Sequence, residues 1–353
     1  MNILACCFPC LPTSPTLSLN STSYKIHRLL GEGGFSYVYL VSPTSNPNSF
    51  YALKKIRCPF GTGDESYKNA MREIHNYHRF TNSQTPYIIQ TIDECIISEV
   101  DGGQSVYILL PYFQSSLQDV ITKNVLNDEK MPESEIIRIF TGVCRGLKVM
   151  HNYQATSTTN TTTDDDNEQG QLLPDNDEDT LAGIDNDPES TQLTELTPYA
   201  HHDIKPANVM VSPEGLPVLV DLGSCTKARF NIRSRQQALA LTDFAQEHCT
   251  LPYRAPELLD VSTNSTITEA TDIWSMGCLL YSLCFGFSPF EKMELEQGAN
   301  LNIAISQGKY IIPQGHEYSQ ELIKLIDSCL QVKPENRPTV AELLETTLQL
   351  ARN

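Results

Sequence analysis

The chain has 353 residues, 40% of them apolar, which suits one large two-lobed domain or two ordinary ones. Its formal charge of −18 argues against a nucleic-acid binder, and about two-thirds of that excess lies in residues 152–198, which hold twelve Asp/Glu and no Lys or Arg. Eleven cysteines show no metal-ligand or disulfide-framework spacing; most, like Cys278 and Cys284, sit among apolar neighbours and read as buried thiols in a reducing compartment.

Residues 1–22, rich in Ser, Thr, Pro and Cys, read as a flexible tail without the basic start and long apolar run of a secretory signal. From Tyr24 to Phe113, β-rich runs are expected at Tyr24–Leu29, Ser36–Val41, Phe50–Arg57, Ile88–Ile97 and Val106–Leu110. One helical pattern interrupts them, with Ala70, Ile74, Tyr77 and Phe80 on one face. After Gln114 the pattern turns helical, and Ile136, Ile139, Phe140, Val143, Leu147 and Met150 form an apolar stripe. Residues 23–113 and 114–353 thus divide into a small β-rich lobe and a larger helical one, an α+β arrangement. The segment 152–198, Thr-, Asn- and Asp-rich, cannot bury enough apolar surface to offset its ordering entropy and is expected to be a disordered insertion. Ile273–Phe287 is too short and too interrupted to span a bilayer and reads as a core helix.

Three motifs carry chemistry. Gly31, Gly33 and Gly34 open a hairpin that runs on through Ser36 to Val38, where the missing side chains would let backbone N–H groups cover a phosphate; a plain turn is the other reading. Lys54, on the next strand, is an odd residue to bury unless Glu73 on the following helix partners it; a surface lysine and a solvated glutamate are the bland alternative. The third motif decides between these readings. His201-His202-Asp203-Ile204-Lys205-Pro206-Ala207-Asn208 is followed thirteen residues later by Asp221-Leu222-Gly223. Transfer of a γ-phosphoryl group from ATP needs a carboxylate near the attacking hydroxyl (Asp203), a cation near the transferring phosphate (Lys205) and oxygen ligands for Mg²⁺ (Asn208, Asp221). Ala255-Pro256-Glu257, the Asp272-Ile-Trp274 helix start and Arg337, a cation for Glu257, follow in order.

These residues resemble the eukaryotic protein kinases over nearly everything except residues 1–22 and 152–198. The finer resemblance is to the Numb-associated kinase family, carried by Gly-Glu-Gly-Gly-Phe-Ser, by Asp221-Leu222-Gly223 and by the run from Arg235-Gln-Gln-Ala-Leu to Cys249-Thr-Leu-Pro-Tyr-Arg254. Within it the chain looks most like the short lipid-anchored branch, whose fungal members sit on the vacuole membrane. The resemblance implies the two-lobed kinase fold and ATP-dependent transfer to Ser/Thr hydroxyls of proteins. It also implies a Lys54–Glu73 ion pair, Val38, Ala52 and Met210 around the adenine, and Leu110 as gatekeeper before a Pro111–Phe113 hinge. Asp203 would be the base, Asn208 and Asp221 the metal ligands, and Thr250 a bridge between Asp203 and Lys205. Autophosphorylation by transient self-association goes with it. His202 stands where the family usually has the arginine that pairs with an activation-loop phosphate, so phosphate-dependent switching is not carried over.

Position 2 is Asn, so the glycine that myristoylation needs is absent, and membrane attachment would rest on Cys6, Cys7 and Cys10. Three cysteines in a mildly apolar terminus suit palmitoylation, and two acyl chains suffice for stable anchoring; unmodified thiols are the alternative. The resemblance places such a protein on the cytoplasmic face of the vacuole membrane, with Golgi or endosome as the alternative and a cytosolic pool beside it. A pseudokinase scaffold at the same membrane is the rival reading, and it would need the loss of Lys54, Asp203, Asn208 or Asp221, all of which are present.

Overall fold

The structure, a computed structural model, describes residues 15–34, 36–99, 102–157 and 193–352. Cys6, Cys7 and Cys10 lie outside the described residues. The chain divides into two compact units. One holds the residues up to Asn82 and Ile89–Phe113; the other holds Ser83–Ile88 and the chain from Gln114 onward.

The first unit is an antiparallel sheet of β1 (Thr16–Leu19), β2 (Thr22–Glu32), β3 (Ser36–Pro43), β4 (Tyr51–Cys58), β5 (Asp93–Ser98) and β6 (Gln104–Pro111), in the order β1-β2-β3-β4-β6-β5. Helix α1 (Glu65–Thr81) follows β4, and Asp64 caps it by accepting from the Ser66 amide. Ala70, Ile74, Tyr77 and Phe80 are all buried, as the 3.6-residue spacing requires.

Two expectations need correction here. The flexible tail does not reach residue 22, because Thr16–Leu19 is a strand paired with Thr22–Lys25. Its alternation explains why: Leu19 is buried with Tyr24, Val41, Leu53, Tyr107 and Leu109, and Leu17 packs against the same cluster. Asn20, at φ +48°, takes the left-handed turn position that Asn tolerates, and its amide donates to Asp93. The strand expected over Ile88–Ile97 begins only at Asp93. Ile88 belongs to the second unit, where it forms an isolated parallel bridge with Leu219 and the Leu219 amide donates to the Tyr87 carbonyl.

The second unit is mainly helical. It contains β7 (Ser115–Ser116), α2 (Leu117–Leu126), α3 (Glu133–His151), β8 (Gln154–Ser157), β9 (Leu193–Leu196), β10 (Tyr199–Ala200), β11 (Val209–Val211), β12 (Pro217–Leu219), β13 (Thr226–Lys227), β14 (Phe230–Ile232), α4 (Arg235–His248) and β15 (Ser265–Ile267). After these come α5 (Ala270–Phe285), α6 (Pro289–Gln297), α7 (Leu301–Gln307), α8 (Gln320–Cys329) and α9 (Val340–Leu350). The six residues of the α3 stripe are buried, and Glu133 and Glu135 open the helix while Lys148 and His151 close it, as the helix dipole favours. Helix α5 is apolar on every side and accordingly central, with every residue from Thr271 to Cys284 buried. Among the described residues no single helix is long and apolar enough to cross a membrane. Burial pushes the Cys278 and Cys284 thiols up, which keeps them protonated.

The acidic insertion is narrower than expected. Gln154–Ser157 and Leu193–Leu196 pair antiparallel, and the Thr197 amide donates to the Tyr153 carbonyl. Backbone pairing at the base of the segment satisfies donors and acceptors that a composition argument does not see. Residues 158–192 lie outside the described residues.

Candidate active site

In the first unit the sheet register gathers one set of side chains. Val38 on β3 pairs with both Gly31 on β2 and Lys54 on β4, while Ala52 pairs with Leu110 on β6. Cross-strand partners share a face, as do residues two apart, so Val38, Ala52, Lys54 and Leu110 stand on one side of the sheet. The hairpin is held by the Gly33 amide, which donates to the Ser36 carbonyl at 2.8 Å. A Cβ on Gly33 would come within 2.9 Å of the Ser36 Oγ, a contact that rotation of the serine side chain relieves.

Lys54 Nζ donates to both Glu73 oxygens at 2.8 Å. Glu73 is buried, and the Tyr77 hydroxyl donates to its Oε1 at 2.8 Å. Tyr77 counted in the sequence only as part of an apolar stripe. Its spacing of i+4 from Glu73 was the available signal, since that spacing puts two helical side chains side by side.

In the second unit Asp203 is the focus of four donors. Lys205 Nζ (2.7 Å) and Asn208 Nδ2 (2.9 Å) donate to its Oδ2, and the Thr250 amide (2.9 Å) and hydroxyl (2.6 Å) donate to its Oδ1. Lys205 also donates to the Thr250 oxygen at 2.7 Å, which closes the bridge. Asn208 Nδ2 reaches the Asp203 carbonyl as well, so the amide nitrogen faces Asp203 and its oxygen faces away from it. The Val220 amide donates to the Asn208 carbonyl at 3.0 Å, which sets Asp221 beside it; Asp221 has φ +61°. An amide oxygen and a carboxylate so placed are hard donors that suit Mg²⁺ arriving with phosphate oxygens. Met210 lies on β11 between Ser116 and Val218.

Beneath this loop is an organiser that the sequence marks only as a helix start. Asp272, fully buried, accepts from the His201 amide (2.8 Å), the His202 amide (2.9 Å) and His151 Nε2 (3.0 Å). Burial alone would push its carboxyl up, but the His151 hydrogen bond and the neighbouring histidines hold it below its ordinary value. His151 ends α3 and Asp272 opens α5, so the contact spans over a hundred residues of sequence, and no local pattern announces it.

His202 is buried too, and burial drives its pKa down to about 4. The folded chain therefore keeps this imidazole neutral, while the unfolded chain takes up the proton near pH 6.5. Stability from this group is complete above pH 6.5 and falls as the pH drops towards 4, by roughly 3 kcal/mol in all. Denaturant melts of wild type and His202→Gln across that range should show the slope in the first and its loss in the second.

The protein kinase domain family matches residues 24–156 and 198–348, which leaves out residues 157–197. The chain is 42% identical over 347 residues to serine/threonine-protein kinase ENV7 of Saccharomyces cerevisiae, covering 93% of this chain and 92% of that protein. It is 37% identical to serine/threonine-protein kinase ppk13 of Schizosaccharomyces pombe, covering 92% and 90%. Serine/threonine-protein kinase 16 of Homo sapiens is similar at 32% identity, covering 95% and 92%.

Proposed function

We propose that this chain, which belongs to the protein kinase domain family and is a serine/threonine protein kinase, transfers the γ-phosphoryl group of MgATP to Ser and Thr hydroxyls of other proteins. The observation that carries this reading is the Asp203–Lys205–Thr250–Asn208 constellation, because each member has a task in that reaction. Asp203 accepts a hydrogen bond from the substrate hydroxyl and takes its proton as that oxygen bonds the γ-phosphorus and the bond from the γ-phosphorus to the β,γ-bridging oxygen breaks, with ADP as the leaving group. Lys205 faces the charge on the transferring phosphoryl group, and Thr250 fixes both side chains. Asn208 and Asp221 would hold the metal, which would supply charge neutralisation at the phosphates. From the first unit, Lys54, kept in place by Glu73, binds phosphate oxygens, and the amides around Gly31, Gly33 and Gly34 cover them. Val38, Ala52 and Leu110 offer apolar contact to the purine, and Met210 is assigned the same role in this reading. The Lys205–Thr250 contact favours Ser/Thr over Tyr acceptors.

The test is an assay with MgATP and a generic protein substrate, followed by phosphoamino-acid analysis. Phosphoserine and phosphothreonine are expected, and Asp221→Ala should lower turnover by several orders of magnitude. Near-normal activity in Asp221→Ala would refute the metal assignment.

Attachment to the cytoplasmic face of an internal membrane, the vacuole first, goes with the same reading. Residues 1–23 contain no Lys or Arg, so no polybasic patch draws the terminus to anionic lipid. Acyl chains on Cys6, Cys7 and Cys10 would supply the binding at about 0.8 kcal/mol per buried CH₂, and one chain is marginal, so at least two cysteines carry one. The triple Cys→Ser variant should move from the membrane pellet to the soluble fraction and keep its kinase activity. Persistence in the pellet would mean a protein receptor holds it.

A further inference from the structure

We propose that Lys25, Arg28 and Phe50, at one corner of the first unit, form a surface that lies on an anionic lipid bilayer, so that the acylated terminus holds the chain with this corner towards the head groups. The proposal rests on the membrane attachment proposed above and adds a folded contact to it. A bulge in β2 between Ile26 and Arg28 sets Lys25 opposite Ser42 and Arg28 opposite Leu40 on β3. Ser42 and Leu40 are two residues apart, so both cations stand on one side of the sheet. The extra residue, His27, is hydrogen-bonded through Nε2 to the Ser42 Oγ at 2.8 Å. Its ring meets Phe50 edge-on, with ring centroids 5.4 Å apart.

Lys25, His27 and Arg28 are exposed, and neither Lys25 nor Arg28 makes an ion pair among the described residues. Phe50 keeps 44% of its surface in water. Cations without counter-ions beside an exposed aromatic ring suit a bilayer surface, where the ring enters the acyl boundary and the cations meet head-group phosphates. Ser42 lies four residues along β3 from Val38, about 13 Å, so the glycine hairpin stands back from this contact.

The terminus leaves the sheet beside this corner. The Ile26 amide donates to the Pro15 carbonyl at 3.0 Å, and Thr16 pairs with Lys25. Cys10 stands five residues before Pro15, a reach of at most about 18 Å, so an acyl chain on it keeps the corner within that distance of the bilayer. Charge selects the same side. Glu32 is the only Asp or Glu among the first 63 residues, which hold five Lys/Arg. The first unit as a whole has eight of each sign, so the entire −18 belongs to the second. An anionic surface therefore repels the second unit and attracts this corner, which sets orientation as well as attachment.

The first experiment sediments the full chain with vesicles after Cys6, Cys7 and Cys10 are replaced by Ser, so that no acyl chain contributes. Phosphatidylcholine vesicles containing about 30% phosphatidylserine should bind it about fivefold or more tightly than pure phosphatidylcholine. Adding Lys25→Glu and Arg28→Glu should weaken binding to the mixed vesicles about tenfold, and adding Phe50→Ser should weaken it about threefold. Kinase activity of each variant in solution should stay within about twofold of the parent, which reports an intact fold. Equal binding of the parent and the double Glu variant to the mixed vesicles would overturn the proposal.

Orientation is read on the acylated wild type, on membranes of the cells that make it, by labelling lysines with a water-soluble amine reagent. Lys25 should label about fivefold less there than in the soluble triple Cys→Ser protein. Lys148 and Lys324, exposed on the second unit, should label equally in both. Equal labelling of Lys25 in the two would overturn the orientation. Wild type that stayed soluble would refute the acyl attachment instead, and the vesicle comparison then decides the surface by itself.

Discussion

Replacing Asp203 by Asn is expected to lower kcat by about 10²–10⁴-fold, with the KM for ATP and the melting temperature close to wild type. The substitution preserves shape and removes only the charge and one acceptor oxygen. In the wild-type chain both carboxylate oxygens are already held, one by Lys205 and Asn208 and the other by Thr250. A carboxylate pinned in this way needs no reorganisation when the hydroxyl arrives, which is where its contribution to the barrier lies. The introduced amide would instead present two protons towards Lys205 and Asn208, themselves donors, so the local network loses its common acceptor. Single-turnover assays with purified wild type and variant, beside thermal melts of both, would separate lost chemistry from lost folding. Activity within about threefold of wild type would mean that Asp203 neither orients nor accepts a proton from the hydroxyl.

Much of this site was legible because kinase chemistry sits in short runs of sequence. Asp203, Lys205 and Asn208 fall within six residues, and Asp221 follows shortly after. The pairing of Lys54 with Glu73 could be anticipated because a strand lysine among apolar residues needs a counter-charge. The residues that support the site were harder to see. His151 and Asp272 meet across 121 positions, and neither has a local pattern that marks it as more than a helix end. Tyr77 looked like core because its ring is core; only its hydroxyl serves Glu73. Leu19 was missed for a related reason. Four residues of alternation in a Ser- and Thr-rich stretch are too short to outweigh composition, and the strand exists because β2 and the buried Leu53–Tyr107 cluster are there to receive it. The expected strand at Ile88 failed in the opposite direction. Its apolar run is real, but Ile88 is buried by Leu219, a contact 131 residues away in sequence.

Arg337→Ala should destabilise the fold by about 3–5 kcal/mol, a fall in melting temperature on the order of 10 °C, although residue 337 is far in sequence from Asp203. The guanidinium is buried completely and has every donor in use. It meets both oxygens of Glu257 at 2.7 and 2.8 Å, the Gln331 carbonyl at 2.7 Å, the Ala270 carbonyl at 2.8 Å and the Val332 carbonyl at 3.2 Å. Its plane also lies over the Trp274 ring, 5.1 Å from the centroid, which adds a cation–π contact. Truncation would leave the half-buried Glu257 carboxylate without its forked partner and three carbonyls without their donor, and breaking such a pair costs more than the pair ever contributed. Lysine cannot replace the arginine, because a single ammonium cannot fork onto a carboxylate and reach three separate carbonyls. Arg337→Lys should therefore lose most of the same stability. The double variant Glu257→Leu/Arg337→Met should recover part of it, since the orphaned charge is gone, but not all, since three carbonyls still lack their donor. Differential scanning calorimetry of wild type and the three variants measures these differences. A single Arg337→Ala variant melting within about 2 °C of wild type would show that water reaches Glu257 and that this pair does not tie the Ala255-Pro256-Glu257 run to α5.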